Sequence, residues 1–322
     1  MTSKAAVDAR IRTAEWAAYA EVGGRPRDRV LRVDDGAQHL DVRVTELGPD
    51  EPDSLPPVLL LHGIASATVL VAPLLPAFSG RRIVAVDWPG HGLSGGVRVE
   101  RGTGVRRHAV AVLEGLLDGL GLAEVDVVGH SLGAQFALYG ACDLGSRVRR
   151  VVTLGAPGAG FAGVRPIAVM KLLALPGLGP AALSVPMSDA QFRRSCAMAL
   201  GPGVMEAQSP RLYRAARLAG SRRANAVGTA SMFRALLGRG RVRPGVALTA
   251  EDLRRITQPV LLVWGDRDVF LAPAAAAESI DALPNAVLQQ VDAGHAPWLE
   301  HTEWARGLVA GFLGDPASSR LL

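Results

Sequence analysis

Cysteine is nearly absent: Cys142 and Cys196 are the only two in 322 residues. Two cysteines make no disulfide framework. They read as buried thiols in a reducing compartment, so a cytoplasmic protein is expected. Charge is sparse as well, at 20% against 49% hydrophobic residues, which excludes a disordered chain. The start, MTSKAAVDARIRTAEWAAYAE, carries charges throughout and lacks the apolar stretch of a secretory leader. Residues 54–80 contain no Asp, Glu, Lys or Arg, a length that would cross a bilayer. Pro56, Pro57, Gly63, Pro73 and Pro76 interrupt it, so a buried strand followed by a loop is expected, with no stable membrane insertion. His39, His108 and His301 have no partners at metal-ligand spacing, and no Cys/His cluster exists. No nucleic-acid motif is present, so no nucleic-acid partner is expected. Gly177 to Ala182 has glycines but no preceding strand, and Pro180 sits inside it, which excludes a dinucleotide loop. No metal or organic cofactor is expected.

Basic charge is concentrated in one region. Residues 160–250 hold twelve arginines and one lysine against Asp189 and Glu206, a balance of +11. The chain total is +5, so the rest carries −6. Arg193, Arg194, Arg211, Arg214, Arg217, Arg222 and Arg223 fit two readings. They attract an anionic substrate, an acyl carrier or an anionic membrane surface, or they form a solvated face, the preferred reading.

Short apolar runs at 58–61, 83–86, 125–128, 151–154 and 259–264 suit strands buried on both faces. Residues 30–33 and 40–44 alternate like edge strands around an Asp34-Asp35-Gly36 turn, and 287–291 is a weaker candidate. Val105, His108, Ala109, Val112, Leu113, Leu116, Leu117 and Leu120 fall on one helical face, as do Trp304, Leu308 and Phe312. Alternating strands and helices predict an α/β fold, a mostly parallel eight-stranded sheet covered on both faces. The alternation lapses over 160–250, where Pro176, Pro180, Pro186, Pro202 and Pro210 break helix-like stretches. The expected organisation is an amphipathic helical extension at 1–28 that braces the sheet, a core at 29–159, a helical insertion at 160–250, and the rest of the core at 251–322. The apolar run 172–187 either lines an acyl pocket or packs against the core.

One serine stands apart. In Gly129-His130-Ser131-Leu132-Gly133 it follows a predicted buried strand and precedes a helical stretch, the context of a nucleophile elbow. Glycines flank it because the turn is strained and crowded. A serine needs a base to take its proton, and a base needs an acid to orient it. His295, in Ala293-Gly294-His295-Ala296-Pro297-Trp298, is the candidate base. Asp268, in Trp264-Gly265-Asp266-Arg267-Asp268, is the candidate acid, with Asp266 holding the turn. Two backbone N–H groups must hold an oxyanion, and Leu132 and Ile64 are the candidates. Gly63 lets the Ile64 loop come close, while His62 braces that loop and His91 belongs to a structural turn. His130 is expected to point away from the bond being cut.

LLLHG at 59–63, DWPGHGLS at 87–94, GHSLG at 129–133, WGDRD at 264–268 and AGHAPWLE at 293–300 occur in the order of the α/β-hydrolase superfamily, which the chain resembles from about residue 30 to 313. The resemblance is to the lid-bearing branch of esterases, lipases, carbon–carbon bond hydrolases, aminopeptidases and cofactor-free haloperoxidases. It implies a lid at 160–250 and a small-molecule acyl substrate. Ser131 argues against epoxide hydrolases and haloalkane dehalogenases, which place aspartate there. The implied activity is serine ester hydrolysis. Carbon–carbon cleavage, acyl transfer and non-catalytic small-molecule binding on the same fold stay open. Oligomeric state is not legible in the sequence.

Overall fold

A computed structural model describes residues 4–102, 104–220 and 222–314. Helix α1 (Lys4–Glu21) leads into an antiparallel pair, β1 (Arg27–Asp34) and β2 (His39–Leu47). Then come β3 (Val58–Leu61), a 3-10 segment at Thr68–Phe78, and β4 (Ile83–Val86). Helix α2 (Gly104–Gly119), β5 (Val125–His130), α3 (Leu132–Asp143) and β6 (Val148–Leu154) follow. The next stretch leaves the sheet. It contains α4 (Ala168–Leu173), α5 (Leu178–Ser184), α6 (Asp189–Ala199), α7 (Pro210–Ala219) and α8 (Ala226–Leu236). A small hairpin, β7 (Leu237–Gly238) with β8 (Arg241–Val242), closes it. The chain then forms α9 (Ala250–Arg254), β9 (Val260–Gly265), α10 (Ala277–Asp281), β10 (Ala286–Val291), α11 (Pro297–Glu300) and α12 (Thr302–Gly314).

The main sheet has eight strands in the order β1-β2-β4-β3-β5-β6-β9-β10. Every pairing from β4 onward is parallel, and only β1 and β2 run against their neighbours. Side chains alternate across a strand, so one apolar run feeds two cores. Leu59 and Leu61 of β3 join Leu113, Leu116 and Phe136 of α2 and α3 on one face. Val58 and Leu60 join Val69, Phe78, Val309 and Phe312 on the other. The central strands are therefore mostly uncharged, because neither face meets water, and the buried exception Asp126 of β5 is paired with Arg81 and Arg149.

Several expectations need adjusting. Strand β2 is internal, between β1 and β4, because β1 covers its outer side; only β1 is an edge strand. The loop expected after β3 is wound into the 3-10 segment, Pro73 and Pro76 included. The extension ends before residue 28, since β1 starts at Arg27. Helix α1 packs mainly on α7 and the 3-10 segment rather than on the sheet. It reaches the sheet through Arg12 and Trp16, which donate to Asp28 of β1, and through Glu15, which accepts a 2.6 Å hydrogen bond from Arg43 of β2. Cys196 is only partly buried, unlike Cys142. Leu172, Leu175, Leu178, Val185 and Met187 are exposed, so those five side chains form neither a buried pocket wall nor core packing. No helix of the described residues is long and apolar enough to cross a membrane.

Candidate active site

The carboxyl ends of β5, β6 and β9 converge where Ser131, Gly155 and Asp268 emerge. Ser131 sits between β5 and α3 with φ 52° and ψ −113°, a region that L-residues avoid. The glycines at either side explain how so sharp a turn closes. A Cβ on Gly129 would lie 2.5 Å from backbone atoms of Gly133 and Ala134, and one on Gly133 would lie 2.4 Å from the Leu61 carbonyl oxygen. The collisions are thus with the turn's far side and with β3, rather than with the serine itself. The backbone N–H of Ser131 donates to Leu154 at the end of β6, which ties the turn to the sheet.

Asp268 and His295 meet directly. His295 Nδ1 lies 2.6 Å from Asp268 Oδ2, with both side chains buried. A carboxylate only accepts, so Nδ1 carries the proton and Nε2 is left as an acceptor. Backbone N–H groups of Ala156 and Phe270 donate to the same carboxylate at 2.9 and 3.0 Å. Burial pushes the Asp268 carboxyl up, but His295 and these two donors outweigh it and hold it below the ordinary aspartate value. Asp266 is exposed and instead accepts from Gln290 at the end of β10.

Ser131 and His295 are brought to one corner but are not hydrogen-bonded to each other. His295 Nε2 is buried without a partner among the described residues. Their neighbourhood is set by intermediaries. The His130 ring lies 4.8 Å from that of His295 and 4.6 Å from Trp298. Gly155, which follows the Leu154 anchor of Ser131, packs so tightly on His295 that a Cβ there would come within 2.5 Å of its carbonyl oxygen. Phe270 presses on the other side of the His295 ring at 4.5 Å.

The loop after β3 approaches closely as well. A Cβ on Gly63 would stand 2.9 Å from the His130 ring and 3.2 Å from Ser131 Cβ. Ile64 follows, half-buried, and Ala65 takes a left-handed φ of 54°. Among the described residues, no acceptor in the protein engages the N–H of Ile64 or of Leu132. His62 braces this loop: Nε2 accepts from the Trp88 N–H at 3.0 Å and Nδ1 donates to the Gly63 carbonyl.

Three further histidines are buried, His130 against His295 and His62 against His91. Burial lowers the basicity of His62, takes His91 to about 3, and depresses His130 strongly, with neighbouring imidazoles adding to the last two. All three shifts favour the neutral imidazole. His108, far from this corner, is bonded to Asp35 at 2.8 Å.

Sequence reasoning passed over Gly155, Gln135 and Glu300. Gln135 Oε1 accepts from the Ala159 N–H, shaping the loop after β6. Glu300 accepts from the Gly294 N–H at 2.7 Å and fixes the loop that carries His295. Glu300 closes the AGHAPWLE segment, so its spacing from His295 was the available signal. Gly155 had none, because its constraint comes from a residue distant in sequence.

A sequence model of the Alpha/beta hydrolase family matches residues 58–306, and the chain belongs to that family. It is 37% identical over 112 residues to 2-hydroxy-6-oxo-2,4-heptadienoate hydrolase of Pseudomonas putida, a match spanning 33% of this chain and 39% of that protein. It is 26% identical to 2-hydroxy-6-oxononadienedioate/2-hydroxy-6-oxononatrienedioate hydrolase 1 of Dechloromonas aromatica, over 88% of this chain and 94% of that one. Its fold matches carboxylesterase CesB of Bacillus subtilis with a TM-score of 0.67 at 20% identity, covering 95% of this chain and 98% of the other. The chain thus has the α/β-hydrolase fold.

Proposed function

We propose that the chain is a serine hydrolase that cleaves an ester or related small-molecule acyl substrate through an acyl-enzyme. Ser131 is the nucleophile, His295 the general base and Asp268 the group that orients it. The N–H groups of Ile64 and Leu132 hold the oxyanion. The observation that carries this reading is the partnerless Nε2 of His295, fixed as an acceptor by Asp268 beside a strained serine. Hydrogen bonds of this kind often tighten only when substrate is bound, so the open Ser131–His295 geometry is compatible with it. Attack would move the Ser131 proton to Nε2, and the imidazolium would then protonate the leaving group. Water activated by the same nitrogen would release the acyl group.

Helices α4 to α8 act as a lid in this reading. Its support is that α8 seats Gly228 against Gly90 and Thr229 donates to the Gly90 carbonyl, in the loop after β4. The arginines there are less available for an anionic substrate than their number implies. Asp189 is shared by Arg193 and Arg217, Glu21 meets Arg211, and Arg222 is buried against Asp8. A cytoplasmic location belongs to the same proposal, supported by the free thiols Cys142 and Cys196.

Carbon–carbon cleavage is the second reading, and the names of two relatives favour it. A 6-oxo-dienoate contains no ester, so its hydrolysis must separate two carbons beside the ketone. The test is a panel of p-nitrophenyl esters from acetate to decanoate, plus a 2-hydroxy-6-oxo-dienoate, with the native protein and Ser131→Ala. Ester turnover with an acyl adduct on Ser131 supports the first reading. Cleavage of the dienoate alone moves the second to the front. No turnover, with no fluorophosphonate labelling of Ser131, overturns both and leaves a binding protein.

A further inference from the structure

Two surface clefts meet at shared walls, Arg101 and Arg234. The larger, about 430 Å³, also presents Arg98 and Ser231. The smaller, about 230 Å³, adds Lys171, Arg239 and Arg243. No carboxylate lines either cleft, and neither is lined by Ser131, His295, Asp268 or the Ile64 loop. We propose that the joined clefts are a binding site for a ligand carrying two or more phosphate groups, separate from the hydrolytic site.

The convergence of unpaired charges singles the place out. Elsewhere in the inserted helices Arg193, Arg211, Arg217 and Arg222 have acidic partners, while Arg194, Arg214 and Arg223 are exposed and line neither cleft. Among the described residues, none of the six cations around these clefts has a carboxylate partner within ion-pair distance. Arg234 and Arg243 are half-buried, so their mutual repulsion is screened less than on an open surface. Arg243 is held in place by donating Nε–H to the Arg234 carbonyl at 3.0 Å. Clustering like charges without counter-ions destabilises the free protein, and an anion removes that cost.

The side chains also choose among anions. Five of the six cations are arginines, whose planar fork matches the paired oxygens of a phosphate. Ser231 is buried and accepts from the Val99 N–H at 2.9 Å, which leaves its own hydroxyl proton for a ligand oxygen. The larger cleft lies within the size range of small-molecule sites. One carboxylate would neutralise only a fraction of six charges, whereas two phosphates carry about three to four.

The experiment is calorimetric titration of the full chain with inorganic pyrophosphate at low salt. The comparison proteins are Arg98→Gln/Arg101→Gln and Arg194→Gln/Arg214→Gln, which remove equal charge from exposed positions inside and outside the clefts. The expected result is saturable binding weakened about tenfold or more by the first pair and less than twofold by the second. Should the first pair lower the melting temperature, Lys171→Gln/Arg239→Gln serves the same purpose. Vesicles of phosphatidylglycerol against phosphatidylcholine identify the source. Variant-sensitive association with the former assigns the phosphate to a lipid headgroup, and pyrophosphate binding without vesicle association assigns it to a soluble ligand. No binding of either probe, equal losses in both variant pairs, or citrate binding as tightly as pyrophosphate would overturn the proposal.

Discussion

Asp268 and His295 are 27 residues apart, yet they share a 2.6 Å hydrogen bond with almost no exposed surface. The bond fixes which imidazole nitrogen is free. Removing its acceptor character should therefore cost catalysis more than stability. Asp268→Asn is expected to lower kcat by roughly a thousandfold or more, with KM changed little. A loss under tenfold would show that Asp268 does not orient the base.

The same carboxyl has a stability signature in acid. Its folded pKa lies below the ordinary value of 3.8, so its contribution is complete above 3.8 and disappears as pH falls through the folded value. Thermal melts from pH 5 downward should show native stability falling, with a shallower fall in Asp268→Asn. Parallel curves would remove this linkage.

Glu15 behaves in the opposite sense. Arg43 faces three carboxylates, Glu15, Asp28 and Asp87, so one cation cannot balance them all. Burial first, then repulsion by Asp87, takes the Glu15 carboxyl up to about 8. Its folded form binds a proton that the unfolded chain releases near 4.5, so stability should decline as pH rises from about 4.5 to 8. Glu15→Gln should flatten that decline. An unchanged slope in melting temperature against pH would contradict the assignment.

The elbow makes a geometric prediction. Gly133→Ala places a Cβ against the Leu61 carbonyl at 2.4 Å, where neither partner is a flexible side chain. A loss of about 3 kcal/mol or more is expected in denaturant melts. Gly307→Ala, in α12 with nothing within 4 Å of the new Cβ, should instead be neutral or stabilise by about 0.5–1 kcal/mol. Similar effects at the two positions would mean that the elbow tolerates side chains.

Ser131→Ala tests the nucleophile without disturbing the turn's packing. Ester turnover should fall by roughly a thousandfold or more and fluorophosphonate labelling should vanish, while the melting temperature stays nearly the same, because alanine keeps the Cβ and with it the positive-φ strain. Residual labelling at another residue would relocate the nucleophile.

The central strands are legible in the sequence because burial on both faces disfavours unpaired charge. The runs at 58–61 and 83–86 match β3 and β4 residue for residue. The run at 151–154 falls short of β6, which starts at Val148 and includes two arginines. Periodicity cannot see those residues, because Arg150 packs over Phe312 and Arg149 pairs with Asp126. Ser131, Asp268 and His295 are legible as separate motifs, each marked by the glycine that its turn requires. Their meeting is not, since it depends on Gly155 and on the His130 and Trp298 rings at their back.

Sequence by itself determined the sheet, the elbow and the order of the candidate triad, because local backbone demands and two-sided burial leave a local trace. Tertiary structure alone decided which charges are free. Arg222 and Arg234 look alike in the chain, but one is buried against Asp8 of α1, more than two hundred residues away in sequence. The other walls a cleft with no acid in it. Neutralisation is a property of distance in space, and no pattern along the chain encodes it.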